Sequence, residues 1–471
     1  FKDMVCYQEE VRDPSRMAEV LNRVIEKAIR GSAPAQINVP RDYWTQVIDV
    51  DLPPIVRLER QAGGVDAISK AAKLLSEAKF PVILSGAGVV IGGAIEDCKK
   101  LAEKLDSPVC SGYQHNDSFP GSHPLAVGPL GYNGSKAAME LISKADVVLA
   151  LGTRLNPFST LPGYGMDYWP KNASIIQVDM NSDRIGLTKK VTVGICGDAK
   201  LVAQQLLTQL SSKAGDADRQ KRKDLIHQTK SAWLQKLSSL DHEDDDKGTV
   251  WNKEARERDK DRMSPRQAWR AIQAGMPDDV IISSDIGNNC AIGNAYPTFE
   301  KGRKYLAPGL FGPCGYGFPS ILGAKIGCPN TPVIGFAGDG AFGISMNEMS
   351  SCARKEWPAI TMVIFRNYQW GAEKRNSILW FDDNFVGTEL DPELSYAKVA
   401  DACGLKGVTV KTMEETTKAI KQSCEDQKKG TTTFIEIILN QELGEPFRRD
   451  AMKKPVQVAG IDPKDMKIQQ V

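Results

Sequence analysis

The amino-acid sequence predicts an α/β protein built from doubly wound parallel sheets, with two complete domains and the C-terminal remnant of a third. Apolar segments of strand length alternate with helical segments between residues 65 and 210, and the alternation resumes between residues 264 and 442. The chain has 471 residues, enough for about three domains of ordinary size. An apolar fraction of 41% allows each of these domains to bury its own core.

Charge and cysteine usage exclude several classes of protein. The 60 Lys and Arg residues balance 59 Asp and Glu residues, whereas nucleic-acid and membrane-surface proteins usually carry a basic excess. No apolar run approaches the roughly 18 residues that a membrane span requires. The ten cysteines are scattered without a CxxC pair, which is typical of reduced thiols. We therefore predict a cytoplasmic protein with no nucleic-acid or membrane partner.

The first fifty residues predict one helix and one strand. Apolar residues recur between Ser15 and Ile29 at the spacing of one helix face, and Gly31 follows as a stop signal. Gln36 to Val39 predicts a short strand that Pro40 closes. Because one helix and one strand are too few for a domain, we interpret this part as the end of a domain and expect a further segment upstream.

Residues 62–212 predict a doubly wound domain, and residues 213–263 predict a charged, solvated linker with a helix around Gln228–Leu240. The predicted strands of this domain are Pro81–Leu84, Val147–Leu151 and Ile175–Val178. Ser85 to Gly88 is interpreted as a structural turn, because no clean GxGxxG fingerprint surrounds it. His115 and His123 are interpreted as packing or surface residues.

Residues 264–442 predict a second complete domain, followed by a tail at 443–471. Ser264, Pro265 and Gln267 have the order of a helix N-cap, a first helical proline and a capping box. The predicted strands are Val280–Ser283, Pro332–Phe336, Ile360–Phe365 and Thr433–Ile438.

Two neighbouring strands of this domain are followed by residues that suit a metal and a phosphate group. The strand ending at Ala337 runs into Gly338-Asp339-Gly340-Ala341, and Asn367 follows the next predicted strand. Open α/β sheets bind ligands at the carboxyl ends of their strands. Glycines let phosphate oxygens approach backbone N–H groups, and carboxylate and amide oxygens are ligands of Mg²⁺ or Ca²⁺. We predict a metal ion that holds a diphosphate.

This GDG motif with its following Asn resembles the motif of thiamine diphosphate-dependent enzymes. The segments Asp285–Asn289 and Gly312–Pro319 resemble the parts of that family that hold the diphosphate and the aminopyrimidine ring. The resemblance implies the thiamine diphosphate-binding fold, with thiamine diphosphate and Mg²⁺ as cofactors. The implied thiamine diphosphate-binding residues are Gly287, Asn288, Asn289, Gly312, Cys314, Gly338, Gly340 and Ala341, and the implied metal ligands are Asp339, Asn367 and the Gln369 carbonyl. At the position of Cys314 the family usually has a bulky Met, Leu or Ile, so this sequence departs from it there.

The resemblance extends over the chain and favours the acetolactate-synthase-like branch. It implies that residues 1–50 are the remnant of a pyrimidine-binding domain, 62–212 a central Rossmann-like domain and 264–442 a diphosphate-binding domain. Within the branch, the segments Asn156–Trp169, Asn367–Lys374 and Gly444–Pro455 are most similar to sulfoacetaldehyde acetyltransferases. That family converts sulfoacetaldehyde and phosphate into acetyl phosphate and sulfite. A homodimer or homotetramer is implied, because the family binds its cofactor between subunits.

Two anionic substrates require fixed positive charge. The candidate side chains are Arg448, Arg449, Lys453, Lys454, Lys374 and Arg375. Trp370 is interpreted equally well as lining the site or as packing.

The family also uses an activating glutamate that lies upstream of the strand matched by Gln36 to Pro40. Glu9, Glu10 and Glu26 do not match its motif and are interpreted as surface carboxylates, so we expect that glutamate in the upstream segment. The catalytic residue of this chain therefore stays unknown from sequence. The alternatives are an acetolactate synthase or 2-oxoacid decarboxylase, a non-catalytic regulatory subunit, and an NAD-dependent dehydrogenase built on the central domain. Whether a flavin or adenine nucleotide occupies the central domain stays open.

Overall fold

The structure, a computed structural model, describes residues 1–52, 59–211, 216–240, 257, 259–309, 311–354, 356–381 and 384–442. Its strands are β1 (Tyr7–Glu10), β2 (Ala35–Asn38), β3 (Pro81–Ser85), β4 (Val109–Ser111), β5 (Ala126–Pro129), β6 (Val147–Leu151), β7 (Ser174–Asp179), β8 (Val193–Cys196), β9 (Ile281–Ser284), β10 (Tyr305–Leu306), β11 (Val333–Gly338), β12 (Thr361–Arg366), β13 (Lys406–Val410) and β14 (Thr433–Ile438). The α-helices are α1 (Met17–Gly31), α2 (Val65–Glu77), α3 (Ala87–Gly92), α4 (Ile95–Leu105), α5 (Lys136–Ile142), α6 (Ala199–Gln209), α7 (Asp216–Leu240), α8 (Pro265–Gly275), α9 (Asn288–Ile292), α10 (Gly317–Gly327), α11 (Asp339–Ser345), α12 (Met349–Cys352), α13 (Gly371–Trp380), α14 (Tyr396–Ala402) and α15 (Met413–Lys428). The predicted α/β fold with parallel sheets is confirmed.

The N-terminal residues form a small unit in which β1 and β2 pair in parallel beneath α1. The sequence predicted β2 and α1 but missed β1, whose residues are polar and show no apolar alternation. The predicted stop at Gly31 is wrong by one residue. Gly31 is the last helical residue, and Ser32 ends the helix in the left-handed conformation with φ 46°.

The central sheet has six parallel strands in the order β5-β4-β3-β6-β7-β8. β3 and β6 are buried along their whole length, which explains their continuous apolar sequences. β4, β5 and β8 were not predicted because each has only three or four residues. After β3, a Cβ on Gly88 would lie 2.7 Å from the Gly152 Cα, so two strand-end turns pack closely here.

Helix α7 corrects the interpretation of residues 213–263 as a solvated linker. The predicted helix is longer at its N-terminal end and packs on the central domain. Its Arg222 donates hydrogen bonds to the carbonyls of Leu105 (2.5 Å) and Lys79 (2.6 Å), and its Ile226 and Trp233 are buried. The sequence pattern did not predict these contacts, because most residues of this helix are charged or polar. The acidic run from Asp241 to Asp246 lies outside the described residues.

The C-terminal sheet also has six parallel strands, in the order β10-β9-β11-β12-β14-β13. The predicted capping box is confirmed at the start of α8, where Ser264 and Gln267 exchange hydrogen bonds. The Trp269 ring of this helix packs 4.7 Å from the Phe336 ring and 5.3 Å from the Phe365 ring, measured between centroids. These contacts fix β11 and β12, the two strands that precede the predicted metal ligands.

The central and C-terminal domains meet through buried polar contacts. Asn116 Nδ2 donates to the carbonyls of Asn294 (2.9 Å) and Pro297 (2.8 Å). The Asp117 carboxylate accepts hydrogen bonds from the backbone N–H groups of Lys304 (2.9 Å) and Tyr305 (3.1 Å). The carboxyl ends of both sheets therefore border one common space. Among the described helices, none has the length and hydropathy needed to cross a bilayer.

Candidate cofactor site

A cavity of about 920 Å³ lies at the carboxyl ends of β9, β11 and β12 and extends to the central domain. This volume is in the usual range for small-molecule sites. The cavity brings together every cofactor and metal residue that the resemblance implied. These lining residues are Gly287, Asn288, Asn289, Gly312, Cys314, Gly338, Asp339, Gly340, Ala341, Asn367 and Gln369.

Asp339 is buried where β11 ends and α11 begins. Its Oδ1 accepts a hydrogen bond from the Gly340 N–H (3.0 Å), and its Oδ2 accepts from the Tyr368 N–H (2.7 Å). Arg366 Nη1 also donates to Oδ2 at 3.1 Å. Burial raises the pKa of Asp339 to about 6, although Arg366 acts in the opposite direction. The carboxylate is thus held in place by three donors before any cation binds.

Arg366 is a site residue that the sequence analysis missed. It is 1% exposed, donates to the carbonyls of Asp391 and Leu394, and lies 3.8 Å from the Glu436 carboxylate. The Tyr368 ring is 4.3 Å from its guanidinium carbon. The sequence did contain a signal for Arg366. It is a basic residue at the end of a buried strand, directly before the predicted ligand Asn367.

The backbone pairing of this loop leaves the Gln369 carbonyl without a hydrogen-bond donor among the described residues. The Trp370 N–H donates to the Thr388 carbonyl (2.8 Å), and the Leu390 N–H donates to the Tyr368 carbonyl (2.9 Å). Gln369 therefore lies between two ladder hydrogen bonds, so its own N–H and C=O point away from that partner segment. No donor in the described part of the chain contacts the Gln369 carbonyl or the Asn367 side chain. Both groups are available to a cation.

Several buried polar atoms that line the cavity lack protein partners. Among the described residues, nothing hydrogen-bonds to the Asn288 amide oxygen or nitrogen, to Asn289 Oδ1 or to Gln369 Oε1. Buried polar groups are normally paired, so such atoms indicate a polar ligand. Gly340 lines the same cavity, and a Cβ at this position would lie 2.9 Å from the Trp370 ring, so the position requires glycine. These residues fit a diphosphate together with a divalent cation. Trp370 both lines the cavity and packs.

Asp285 connects two of the cavity segments. Its Oδ1 accepts hydrogen bonds from the N–H groups of Ile286 (2.8 Å) and Gly315 (3.1 Å), and its Oδ2 accepts from the Gly317 N–H (2.7 Å). Gly315 has φ 86°, which strongly favours glycine over other residues. One carboxylate therefore fixes the Gly312–Pro319 segment against the start of the Asp285–Asn289 segment.

The basic side chains predicted to bind anions have other partners. Lys374 is buried and paired with Glu389, and it does not line the cavity. Arg375 Nη1 donates to the Tyr132 hydroxyl at 2.5 Å. Neither candidate therefore lines the cavity of the described structure, and the sequence could not reveal these partners. The other four candidates, at 448, 449, 453 and 454, lie outside the described residues.

The central domain instead contributes Arg154, Arg184 and His115 to the cavity wall. Burial, with a smaller effect of Arg154, lowers the pKa of His115 to about 4, so this imidazole is neutral at pH 7. His115 therefore lines the cavity from a loop of the central domain, a position compatible with packing and with contact to a ligand. His123 packs against Phe119 and lies outside this wall.

Comparison with known proteins matches two domain families. The thiamine pyrophosphate enzyme central domain matches residues 68–206, and the C-terminal TPP binding domain of thiamine pyrophosphate enzymes matches residues 285–437. The solved benzoylformate decarboxylase of Polynucleobacter necessarius superposes on 94% of this chain and 77% of its own with a TM-score of 0.72, at 19% identity. That likeness supports the fold alone.

Curated relatives match over the entire chain. A probable sulfoacetaldehyde acetyltransferase of Rhizobium meliloti is 78% identical over 100% of this chain and 79% of its own length. The sulfoacetaldehyde acetyltransferase of Roseovarius nubinhibens is 74% identical over 100% of this chain and 78% of its own. A probable acetolactate synthase large subunit of Methanococcus aeolicus is 29% identical over 90% of this chain and 70% of its own.

Proposed function

Because the chain belongs to the sulfoacetaldehyde acetyltransferase family of thiamine pyrophosphate enzymes, we propose that it converts sulfoacetaldehyde and phosphate into acetyl phosphate and sulfite. The observation that carries this proposal is the 78% identity to a probable sulfoacetaldehyde acetyltransferase over the whole chain. The identity to an acetolactate synthase subunit is only 29%, which favours the acetyltransferase over that alternative. Two matched enzyme domains favour catalysis over a regulatory role.

The cofactors are thiamine diphosphate and, as is usual for this family, Mg²⁺. Thiamine diphosphate supplies the carbon nucleophile for the aldehyde. In this proposal Asp339, Asn367 and the Gln369 carbonyl hold Mg²⁺, and their oxygen atoms are of the kind that Mg²⁺ prefers. The residues proposed to contact thiamine diphosphate are Gly287, Asn288, Asn289, Gly312, Cys314, Gly338, Gly340 and Ala341. The partnerless amides of Asn288 and Asn289 support this assignment.

We assign the fixed positive charge for the two anionic substrates to Arg154 and Arg184. Burial, with a smaller effect of Arg184, lowers the pKa of Arg154. Asp179 of the same wall opposes the effect of Arg184 on Arg154, and a bound anion would further stabilise the charge of both arginines. The homodimeric or homotetrameric state and the cytoplasmic location stay predictions.

The reaction can be tested by supplying the holoenzyme with sulfoacetaldehyde plus phosphate or, separately, with pyruvate. We expect sulfite and acetyl phosphate in equal amounts from the first mixture and no CO₂ from the second. Assays of all three products distinguish transfer from decarboxylation. Release of CO₂ from pyruvate without sulfite from sulfoacetaldehyde would contradict the proposal.

Cysteine labelling tests where the cofactor lies, independently of turnover. Cys314, Cys6 and Cys328 are exposed, and Cys314 alone of these lines the cavity. Burial raises the pKa of the Cys314 thiol, so labelling with iodoacetamide is best followed at about pH 8.5, near the usual cysteine pKa. We expect thiamine diphosphate with Mg²⁺ to slow labelling of Cys314 about tenfold or more, because the bound ligand covers the thiol. Peptide mass spectrometry measures each site, and unchanged labelling of Cys6 and Cys328 is the internal control. Equal labelling of Cys314 with and without cofactor would contradict the assignment.

A further inference from the structure

The chain continues past β14 and packs along the loop that contains Asn367 and Gln369. The Leu439 N–H donates to the Arg366 carbonyl (2.9 Å), which extends the pairing of β12 with β14. The Asn440 N–H donates to the Met263 carbonyl (2.9 Å), and Glu442 forms an ion pair with Arg266 at 3.4 Å. These contacts fix the segment Leu439–Glu442 on both sides of Gln441.

Gln441 contacts both proposed ligand residues. Its side-chain Nε2 donates to the Asn367 backbone carbonyl (3.3 Å), and its backbone carbonyl accepts a hydrogen bond from Gln369 Nε2 (3.3 Å). The two contacts lie on either side of Tyr368 in the sequence. Gln441 is 1% exposed, so neither hydrogen bond competes with bulk water.

The remaining atoms of the Gln441 side chain are also used. Nε2 donates a second hydrogen bond to Glu389 Oε2 (3.0 Å), and Oε1 accepts from Lys374 Nζ (3.4 Å). Lys374 is itself paired with Glu389. This explains the buried position of Lys374: the ammonium group fixes the orientation of the Gln441 amide.

The loop needs such support because its backbone is strained. Tyr368 has φ 60°, a left-handed conformation that bulky residues seldom adopt and that costs about 1–3 kcal/mol. That conformation directs the Tyr368 N–H towards Asp339 Oδ2. The contacts of Gln441 hold the residues before and after Tyr368, so they oppose relaxation of the loop.

We propose that Gln441 is a positioning residue for the divalent cation. It holds the loop so that the Asn367 side chain and the Gln369 carbonyl face the cavity together with Asp339. This inference rests on the proposed function, because it takes Asn367 and Gln369 as metal ligands. The effect is indirect: Gln441 does not line the cavity and acts through the two ligand residues.

The chain offers a matched control in Gln427, a second buried glutamine of the same domain. Its Nε2 donates to the Val333 carbonyl and to Thr361 Oγ1, and its Oε1 accepts from the Val333 N–H and from Lys325 Nζ. Val333 and Thr361 begin β11 and β12, so Gln427 joins the same two strands at the end opposite the site. A glutamine with a merely structural role should behave as Gln427 does.

The experiment compares Gln441→Met with Gln427→Met in the holoenzyme. Manganese, as a paramagnetic substitute for Mg²⁺, is titrated in the presence of thiamine diphosphate and followed by electron paramagnetic resonance. We expect Gln441→Met to need about tenfold more Mn²⁺ for half-saturation, because it loses the side-chain hydrogen bonds to the Asn367 carbonyl and to Glu389, worth about 1 kcal/mol each, while the backbone contact to Gln369 remains. Both variants should unfold at a lower temperature, whereas Gln427→Met should keep the Mn²⁺ affinity of the unmodified enzyme. At saturating Mg²⁺, kcat of Gln441→Met should return to within about twofold, since its effect is on metal affinity.

Two results would overturn the inference: an Mn²⁺ affinity of Gln441→Met within twofold of the unmodified enzyme, or an equal loss of affinity in Gln427→Met. If Gln441→Met does not fold, Gln441→Asn replaces it, with a shorter side chain that keeps an amide but cannot reach the Asn367 carbonyl. The same criteria then apply. Failure of the proposed function gives a different result, in which the unmodified enzyme releases no sulfite from sulfoacetaldehyde, whereas failure of the proposed metal site would leave the unmodified enzyme unable to bind Mn²⁺ with thiamine diphosphate.

Discussion

Replacing Asp339 by asparagine is expected to lower kcat/KM by about 1,000-fold. This factor corresponds to the several kcal/mol by which a bound metal stabilises the transition state of such reactions. The substitution keeps the shape of the side chain but removes its negative charge. Asp339 is the one carboxylate among the three proposed metal ligands, and it lines the cavity beside Gly338 and Gly340. The variant should therefore also lose most of its affinity for Mn²⁺ in the presence of thiamine diphosphate.

Glu436→Gln is the matched control for that prediction. Glu436 is as buried as Asp339 and also contacts Arg366, but it does not line the cavity. It accepts hydrogen bonds from the Ser395 hydroxyl and the Tyr396 N–H, so its loss should reduce stability while leaving metal affinity nearly unchanged. Sulfite release and Mn²⁺ titration measure both variants. An Asp339→Asn enzyme within tenfold of normal activity would refute Asp339 as a ligand.

Replacing Arg366 by methionine is expected to destabilise the metal-free protein by about 3–5 kcal/mol, the usual effect of removing one member of a buried ion pair. Asp339 and Glu436 would both lose their cationic neighbour, and both are at most 2% exposed. Arg366 also supports two carbonyls beyond β12 and the Tyr368 ring. Urea unfolding of the apoprotein measures the change.

Two further measurements separate charge from packing in the Arg366→Met variant. The double variant Arg366→Met with Glu436→Gln should recover part of the loss, because only one buried carboxylate then lacks a partner. Mg²⁺ with thiamine diphosphate should also reduce the difference, since a cation at Asp339 replaces the missing positive charge. If the free energy of unfolding of the apoprotein falls by less than about 1 kcal/mol, the ion pairs of Arg366 are only weakly coupled, which contradicts the prediction.

The predictable part of the fold is the part with a short-range pattern. Val147–Leu151 and Thr433–Ile438 were predicted to the residue, because buried parallel strands have continuous apolar sequences. Tyr7–Glu10 was missed, because its polar residues become a strand only by pairing with a neighbour. Pairing is a tertiary property, so a propensity argument cannot detect it.

The candidate site divides in the same way. The site glycines, Asp339 and Asn367 could be predicted, because strand ends and motif spacing are visible in the sequence itself. Arg366 and Gln441 act through partners that are distant in sequence, so their importance was not visible. Lys374 was a candidate for anion binding for the same reason, since its partners Glu389 and Gln441 lie 15 and 67 residues away. The assignments of Gly287, Asn288, Asn289 and the other site residues stay predictions until cofactor binding is measured.

The buried polar contacts between the two large domains have a consequence for the route by which substrates arrive. Swinging the domains apart would break the hydrogen bonds of Asn116 to Asn294 and Pro297 and those of Asp117 to Lys304 and Tyr305. At about 1 kcal/mol each, those four bonds oppose a hinged opening by about 4 kcal/mol, so the open form is a minor state. In the closed arrangement that these bonds favour, substrates and products pass through the mouth of the cavity. The size of that opening, rather than interdomain motion, should limit how bulky an aldehyde the enzyme accepts.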